Sequence, residues 1–349
     1  MLSLAFGLKF ADLYARDGVA RIDAEFVRWL ASADAALAEK LTVARAEPML
    51  VERKAHAELM LALAPHVDDF VAKLFGIEAD VRALNTSIHE LTPLYTCKRL
   101  FVQRRAAKKY GNDVASFDGA ALARQIESML ELHIGGADDE LEFARVVNTM
   151  MENEAANAEG LELAGQYAAW ATLTPAGKAR HAGGVLFHVP GKVEPENMLP
   201  LEEHHLPRTG KGVQAWALGE HHLRRREGFA LTDPGHDLKK ALDHAHYCIF
   251  CHNQGKDSCS RGLKEKPAPN QTAAQSFKKS HFGVTLAGCP LEERISEMHT
   301  AKTEGHSLAA LAIVTVDNPM CAGTGHRICN DCMKACLLYT SPSPRDVEE

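Results

Sequence analysis

Apolar residues recur at three- and four-residue spacing early in the chain, in Phe26, Val27, Leu30, Leu37 and Leu41, and again in Leu59, Leu61, Leu63, Phe70, Val71 and Leu74. That period places apolar side chains on one face of an α-helix, so residues 1–182 read as a helical domain with few strands. Thr92-Pro93 offers a capping hydroxyl and a proline suited to a first helical position, which predicts a helix entry there. Gly76, Gly111 and Gly135-Gly136 are the expected stops. The pattern then breaks. Gly183-Gly184 leads into Val185–Val189, a short strand candidate ended by Pro190, and breakers recur at Pro195, Pro200, Pro207, Gly210 and Gly212. Residues 183–232 therefore read as an irregular connector. Helical spacing returns over residues 233–336. Asp233-Pro234 predicts the start of a helix reaching Tyr247, and Leu291–Met298 and Leu308–Val316 predict two more. The expected fold is mainly α.

Composition narrows the classes. At 349 residues, 46% hydrophobic and 24% charged, the chain suits a soluble globular protein of two or three domains. The net charge of −7 divides into −7 over residues 1–200 and +2 over residues 201–336. Neither balance is the basic field a nucleic acid partner requires, so none is expected. The apolar run Leu308–Val316 falls far short of the ~18 residues of a spanning helix, and no membrane partner is expected. Met1–Phe10 lacks a basic start and a cleavage site, which points to the cytoplasm. From Cys336 to Asp346 the chain reads CLLYTSPSPRD, the translation of a sequencing-library adapter. Residues 337–349 are thus expected to be an adapter-derived, disordered tail, and the natural chain to continue differently as part of a longer protein.

The cysteines change the picture more than the charge does. Only Cys97 precedes residue 248, and the other eight fall in the 89 residues from Cys248 to Cys336. In a reducing compartment, clustered thiols bind metal or do redox chemistry more often than they form disulfides. They divide into Cys248, Cys251, Cys259 and Cys289-Pro290, then Cys321, Cys329, Cys332 and Cys336. Four thiolates twice over match two [4Fe–4S] clusters, and a cysteine before proline is a ferredoxin-type feature. Two four-cysteine zinc sites would use the same thiols and would make the chain a structural interaction module instead. Cys248-Ile249-Phe250-Cys251-His252 also has the form of a haem attachment motif, but haem would leave the remaining thiols without a role.

Cys248 to Cys259, Gly288-Cys289-Pro290, Asp317-Asn318-Pro319 and Gly325-His326-Arg327-Ile328-Cys329 to Cys336 together resemble a known domain. It is the N-terminal iron–sulfur domain of the dihydropyrimidine dehydrogenase and glutamate synthase small subunit family. The resemblance covers about residues 236–336 and implies an α-helical ferredoxin-like fold carrying two [4Fe–4S] clusters. It implies that Cys248, Cys251, Cys259 and Cys336 hold the first cluster. Cys289, Cys329 and Cys332 would hold the second, with Cys321 or a residue beyond the tail as the fourth ligand. The chain would then be the electron-transfer front end of a larger oxidoreductase using FAD and NAD(P)H. Its partner would be a flavin domain of the same full-length chain or of another subunit. Two departures are visible: 29 residues separate Cys259 from Cys289, and Asn330 stands where the family usually has proline. No Gly-x-Gly-x-x-Gly loop occurs, which places any dinucleotide domains outside this sequence.

Other features carry less. His244, His246, His252 and His326 flank the thiols and can donate N–H bonds to cluster sulfurs, whereas His204, His205, His221 and His222 read as exposed polar residues. Arg104, Arg105, Lys108 and Lys109 read as a solvated helix face, and Arg224, Arg225 and Arg226 as a charged turn. There is no Gly-x-Ser-x-Gly motif to support hydrolase chemistry.

Overall fold

Helices α1 (Arg16–Ala33) and α2 (Ala35–Ala46) form a hairpin hinged at Asp34, whose carboxylate accepts the Leu37 N–H at 2.9 Å and so caps α2. The computed structural model from which this is read describes residues 4–189, 201–206, 213–218, 228–229, 235–255, 257–267, 276–280, 283–321 and 335–336. Helix α3 (Arg53–Phe75) stops at Gly76, whose φ of +68° is the left-handed conformation that glycine adopts without strain. The apolar positions of α3 divide between two faces. Leu59 and Leu63 pack on Phe26, Leu30, Leu37 and Leu41, and Phe70 and Leu74 join Phe6 and Trp29. On the other side, Met60, Leu61, Ala64 and Val67 meet Ala301, Ala309, Ala310 and Ile313 from the far end of the chain.

Helix α4 (Glu78–Cys97) runs through Thr92-Pro93 instead of beginning there. The Thr92 hydroxyl turns back to the Ile88 carbonyl at 3.2 Å, so it caps nothing. Pro93 removes one ladder donor from the helix interior. Beyond Cys97 the ladder widens into a π-helical stretch, Lys98–Ala106, before the short α5 (Ala107–Tyr110). Then follow α6 (Gly119–Leu130), α7 (Glu140–Glu152), α8 (Ala158–Leu173) and α9 (Pro175–Arg180). The Thr-Pro cap does occur at Thr174-Pro175, where the hydroxyl accepts the Gly177 N–H at 3.0 Å.

The largest core lies among these helices, with Ile88, Leu94, Phe101, Ile126, Phe143, Leu161, Tyr167 and Leu186 fully buried. Residues 185–187 belong to it, but as a turn and not the expected strand. Their backbone donors are taken by a carboxylate: Glu140 Oε2 accepts the Val185 and Leu186 N–H groups at 2.8 and 2.9 Å. Its Oε1 lies 3.1 Å from His181 Nδ1, and His181 Nε2 lies 3.0 Å from the Tyr167 hydroxyl. Gly184 passes so close that any β-carbon would run into the Glu140 carboxylate.

The connector contains an antiparallel hairpin, β1 (Leu201–Leu206) and β2 (Val213–Leu218), with Leu201 opposite Leu218 and Leu206 opposite Val213. Its expected breakers at residues 190, 195, 200, 207, 210 and 212 lie outside the described residues, as do Asp233-Pro234, Arg224–Arg226 and the 337–349 tail. Helix α10 (Leu238–His246) is capped by Asp237, which accepts the Lys240 N–H at 2.7 Å. It is followed by α11 (Ser258–Arg261), α12 (Ile295–Thr303) and α13 (Ser307–Asp317). The protein is mainly α, as expected. Among the described residues, no helix is long and apolar enough to cross a membrane.

Candidate metal centre

Helix α10 delivers the chain to Cys248, and a tightly wound loop follows. Phe250, Gly255 and Asp257 take φ values of +54°, +68° and +37°, all left-handed. This winding turns the Phe250 N–H onto the Cys248 sulfur, with N···S at 3.3 Å. Cys251 opens a short 3-10 turn, and α11 presents Cys259. The Cys259 carbonyl accepts the Cys289 N–H at 2.8 Å, so the 29 intervening residues still return Cys289 to the same place. Two glycines permit that return. Gly262 and Gly288 have φ of +80° and +82°, and a β-carbon on Gly262 would stand 2.7 Å from the Ala287 carbonyl oxygen. Only a residue without a side chain lets the two backbones cross this closely.

Four of the eight thiols converge. Cys259 and Cys336 are close enough to share a hydrogen bond, and Cys248 and Cys251 lie within electrostatic reach of both. Cys251 and Cys259 are buried, whereas Cys248 and Cys336 are half-buried. Of the other four, Cys289 is buried beside Cys259 and Cys321 is half-buried just beyond α13. Cys329 and Cys332 lie outside the described residues. Cys97 is buried in the helical core. Among the described residues, no three His, Cys, Asp or Glu side chains form a group that could hold one metal ion.

Desolvation is the first influence on Cys248 and Cys251. Burial pushes Cys248 up to about 11, against the opposing hydrogen bonds from the Phe250 N–H and the Ser296 hydroxyl. Cys251 is also raised by burial, with Ser258 opposing. Cys259 is raised first by its bond to Cys336 and then by burial. Each thiolate would also raise its neighbours, so the group keeps its protons unless a cation takes their place.

Around the sulfurs the polar groups are incompletely paired. His252 is buried, with Nδ1 2.6 Å from Ser296 Oγ, which is itself 3.8 Å from Cys248 Sγ. His252 Nε2 is buried and makes no hydrogen bond. His246 stacks on Tyr95 at 4.3 Å, and burial lowers its pKa to about 4. His244 stacks on His236 at 4.9 Å, and His326 lies outside the described residues.

Several contributors carry no local signal in the sequence. From α3, Arg53 reaches the buried Asp257 at 2.6 Å and Glu292 at 2.9 Å. Arg294 meets His56 at 3.0 Å, and Asp68 accepts the Ala309 N–H at the start of α13 at 2.8 Å. From the π-helical stretch, Arg99 donates to the Cys248 carbonyl at 2.6 Å. These partners are 149 to 241 positions apart, so no motif window contains both.

Residues 4–76 match a family model described as the RP005 N-terminal alpha-helical domain. The chain is 28% identical over 312 residues to an uncharacterized protein RP005 of Rickettsia prowazekii (strain Madrid E). That alignment covers 87% of this chain and 99% of the relative. No solved structure matches. These findings overturn the resemblance to the dihydropyrimidine dehydrogenase and glutamate synthase small subunit family: no iron–sulfur oxidoreductase family matches. The physical reason lies in what carried the resemblance. Short cysteine spacings are dictated by the need to wrap a loop around a centre, and unrelated chains arrive at them independently. The ligand pairing and the FAD and NAD(P)H domains thereby lose their family support.

Proposed function

We propose that the chain holds a [4Fe–4S] cluster on Cys248, Cys251, Cys259 and Cys336 and acts as an electron-transfer protein. The observation that carries this reading is the convergence of these four thiols from three separate places in the chain. When bound, the cluster would exchange one electron with little rearrangement. The chain's own residues do the rest. The left-handed Phe250 aims its backbone donor at the Cys248 sulfur, the Ser258 and Ser296 hydroxyls stand near Cys251 and Cys248, and burial keeps water from Cys251 and Cys259. His252 Nε2 supplies a further buried polar atom with no partner in the protein. Cys289, Cys321, Cys329 and Cys332 are the thiols for a second cluster in the same reading. The electron partner would be a flavin domain or another one-electron carrier, with the chain serving an oxidoreductase in the cytoplasm.

The test is anaerobic determination of iron, acid-labile sulfide and zinc on the same purified sample. Four irons and four sulfides per chain support one cluster, and eight of each support two. In the Cys259→Ala variant the iron should fall by four. Stoichiometric zinc without sulfide would overturn the electron-transfer reading and leave a structural zinc module.

A further inference from the structure

We infer that Arg99 is a positioning residue that holds a fixed positive charge against the thiol loop and sets the reduction potential of the cluster. The inference rests on the proposed cluster and adds the group that tunes it. Three observations place Arg99. Its guanidinium donates to the Cys248 carbonyl at 2.6 Å, and it lies over the Phe250 ring at 5.3 Å. Phe250 is the residue whose N–H reaches the Cys248 sulfur, so Arg99 braces both ends of that contact. Arg99 also belongs to the π-helical stretch Lys98–Ala106, in which each side chain is rotated away from where an α-helix would carry it. The neighbouring cation, Lys98, is already engaged by Asp243 at 2.6 Å. Arg99 instead spends its charge on a backbone carbonyl and a ring face, both neutral, so the positive charge is not cancelled by a carboxylate in those contacts. Four thiolates on a cluster leave the site anionic, and reduction adds one more negative charge. A half-buried cation beside the Cys248 sulfur favours the reduced form, because the partly excluded water screens it weakly.

The experiment is a spectroelectrochemical titration of anaerobically purified or reconstituted protein, with iron and sulfide assayed on each sample. One electron passes from the reduced mediator dye to the oxidised cluster, and Arg99 remains protonated in both states. Arg99→Gln should keep wild-type iron and lower the midpoint potential. The expected change is about a tenfold fall in the reduced-to-oxidised ratio at a fixed potential, equivalent to about 59 mV for one electron. Arg99→Lys should restore most of the shift. Should Arg99→Gln lose its iron, Arg99→His decides instead. Its midpoint should rise as pH is lowered through the histidine range, by more than the wild type's does. A fully loaded Arg99→Gln with an unchanged midpoint, or an Arg99→His that follows the wild-type pH profile, would overturn the inference and leave the cluster reading intact. A wild-type protein without labile sulfide overturns both.

Discussion

Two buried polar sites in this molecule have opposite characters. In the helical body, the Glu140 carboxylate is fully enclosed, and its oxygens meet two backbone N–H groups and His181, which in turn meets Tyr167. In the cysteine region, His252 Nε2 and His299 Nδ1 make no hydrogen bond, nor does either oxygen of the buried Glu297, from which Arg294 stands 3.6 Å away. The body leaves such atoms too: Asn148 Oδ1 and Thr172 Oγ1 on neutral side chains, and Arg53 Nε and Asp68 Oδ2 on ionisable ones in α3. Buried polar atoms without partners cost free energy, most of all when they are ionisable. The contrast teaches that Glu140 finds all its partners within the chain, whereas the histidines and the carboxylate of the cysteine region leave buried atoms without a hydrogen bond.

Removing the carboxylate at Glu140 should have the largest effect. Glu140→Ala strands two backbone donors and His181 in the core and should cost about 3–5 kcal/mol in chemical denaturation. Iron and sulfide per folded chain should stay at the wild-type level, and loss of both would show that the two sites are not independent. Acid should act next, and through the cysteine region. Burial lowers His299 from 6.5 to about 4, so the unfolded chain binds a proton that the folded chain refuses between those values. Stability is therefore full above pH 6.5 and is lost as pH falls toward 4, by roughly 2–3 kcal/mol. His299→Leu should flatten that part of the profile; an unchanged slope would assign the acid sensitivity elsewhere.

A smaller effect is expected where the two regions meet. Arg53→Ala leaves the carboxylate of Asp257 buried without its cation and should cost about 1–3 kcal/mol, less than a fully buried pair because Arg53 is partly exposed. Since Asp257 ends the wound loop, iron occupancy should fall as well, and wild-type occupancy would show that α3 does not brace the thiols. The least effect belongs to the α10 cap. Asp237→Ala should lower stability by about 1 kcal/mol without changing the thiol site, as read by melting and by iron content.

Much of the helical body was legible in the residue pattern. Leu30, Leu37, Leu41, Phe70 and Leu74 are buried as their spacing predicts, and Gly76 ends its helix. The misreadings have local causes. Thr92-Pro93 carries a cap signature, yet α4 runs on through it, with the Thr92 hydroxyl bonded back to Ile88. Val185–Val189 has strand composition, yet a carboxylate 45 positions away takes the first of its donors. At the candidate site, the concentration of thiols was plain from the sequence, but their supports were not. Arg53, Arg99, Asp257 and Ser296 are ordinary polar residues until packing brings them to the loops that carry the cysteines.

The sequence alone determined that this protein is mainly helical and that eight of its nine cysteines gather from Cys248 onward, because period and residue type are local properties. Tertiary structure decided which thiols meet. It set α3 between two partners, with Leu59 and Leu63 facing α1 and α2 while Leu61 and Ala64 face α12 and α13. It also carried Arg99 to Cys248 across 149 positions. Those outcomes depend on how apolar faces close over one another, and a contact between distant residues is decided only when the whole chain has folded.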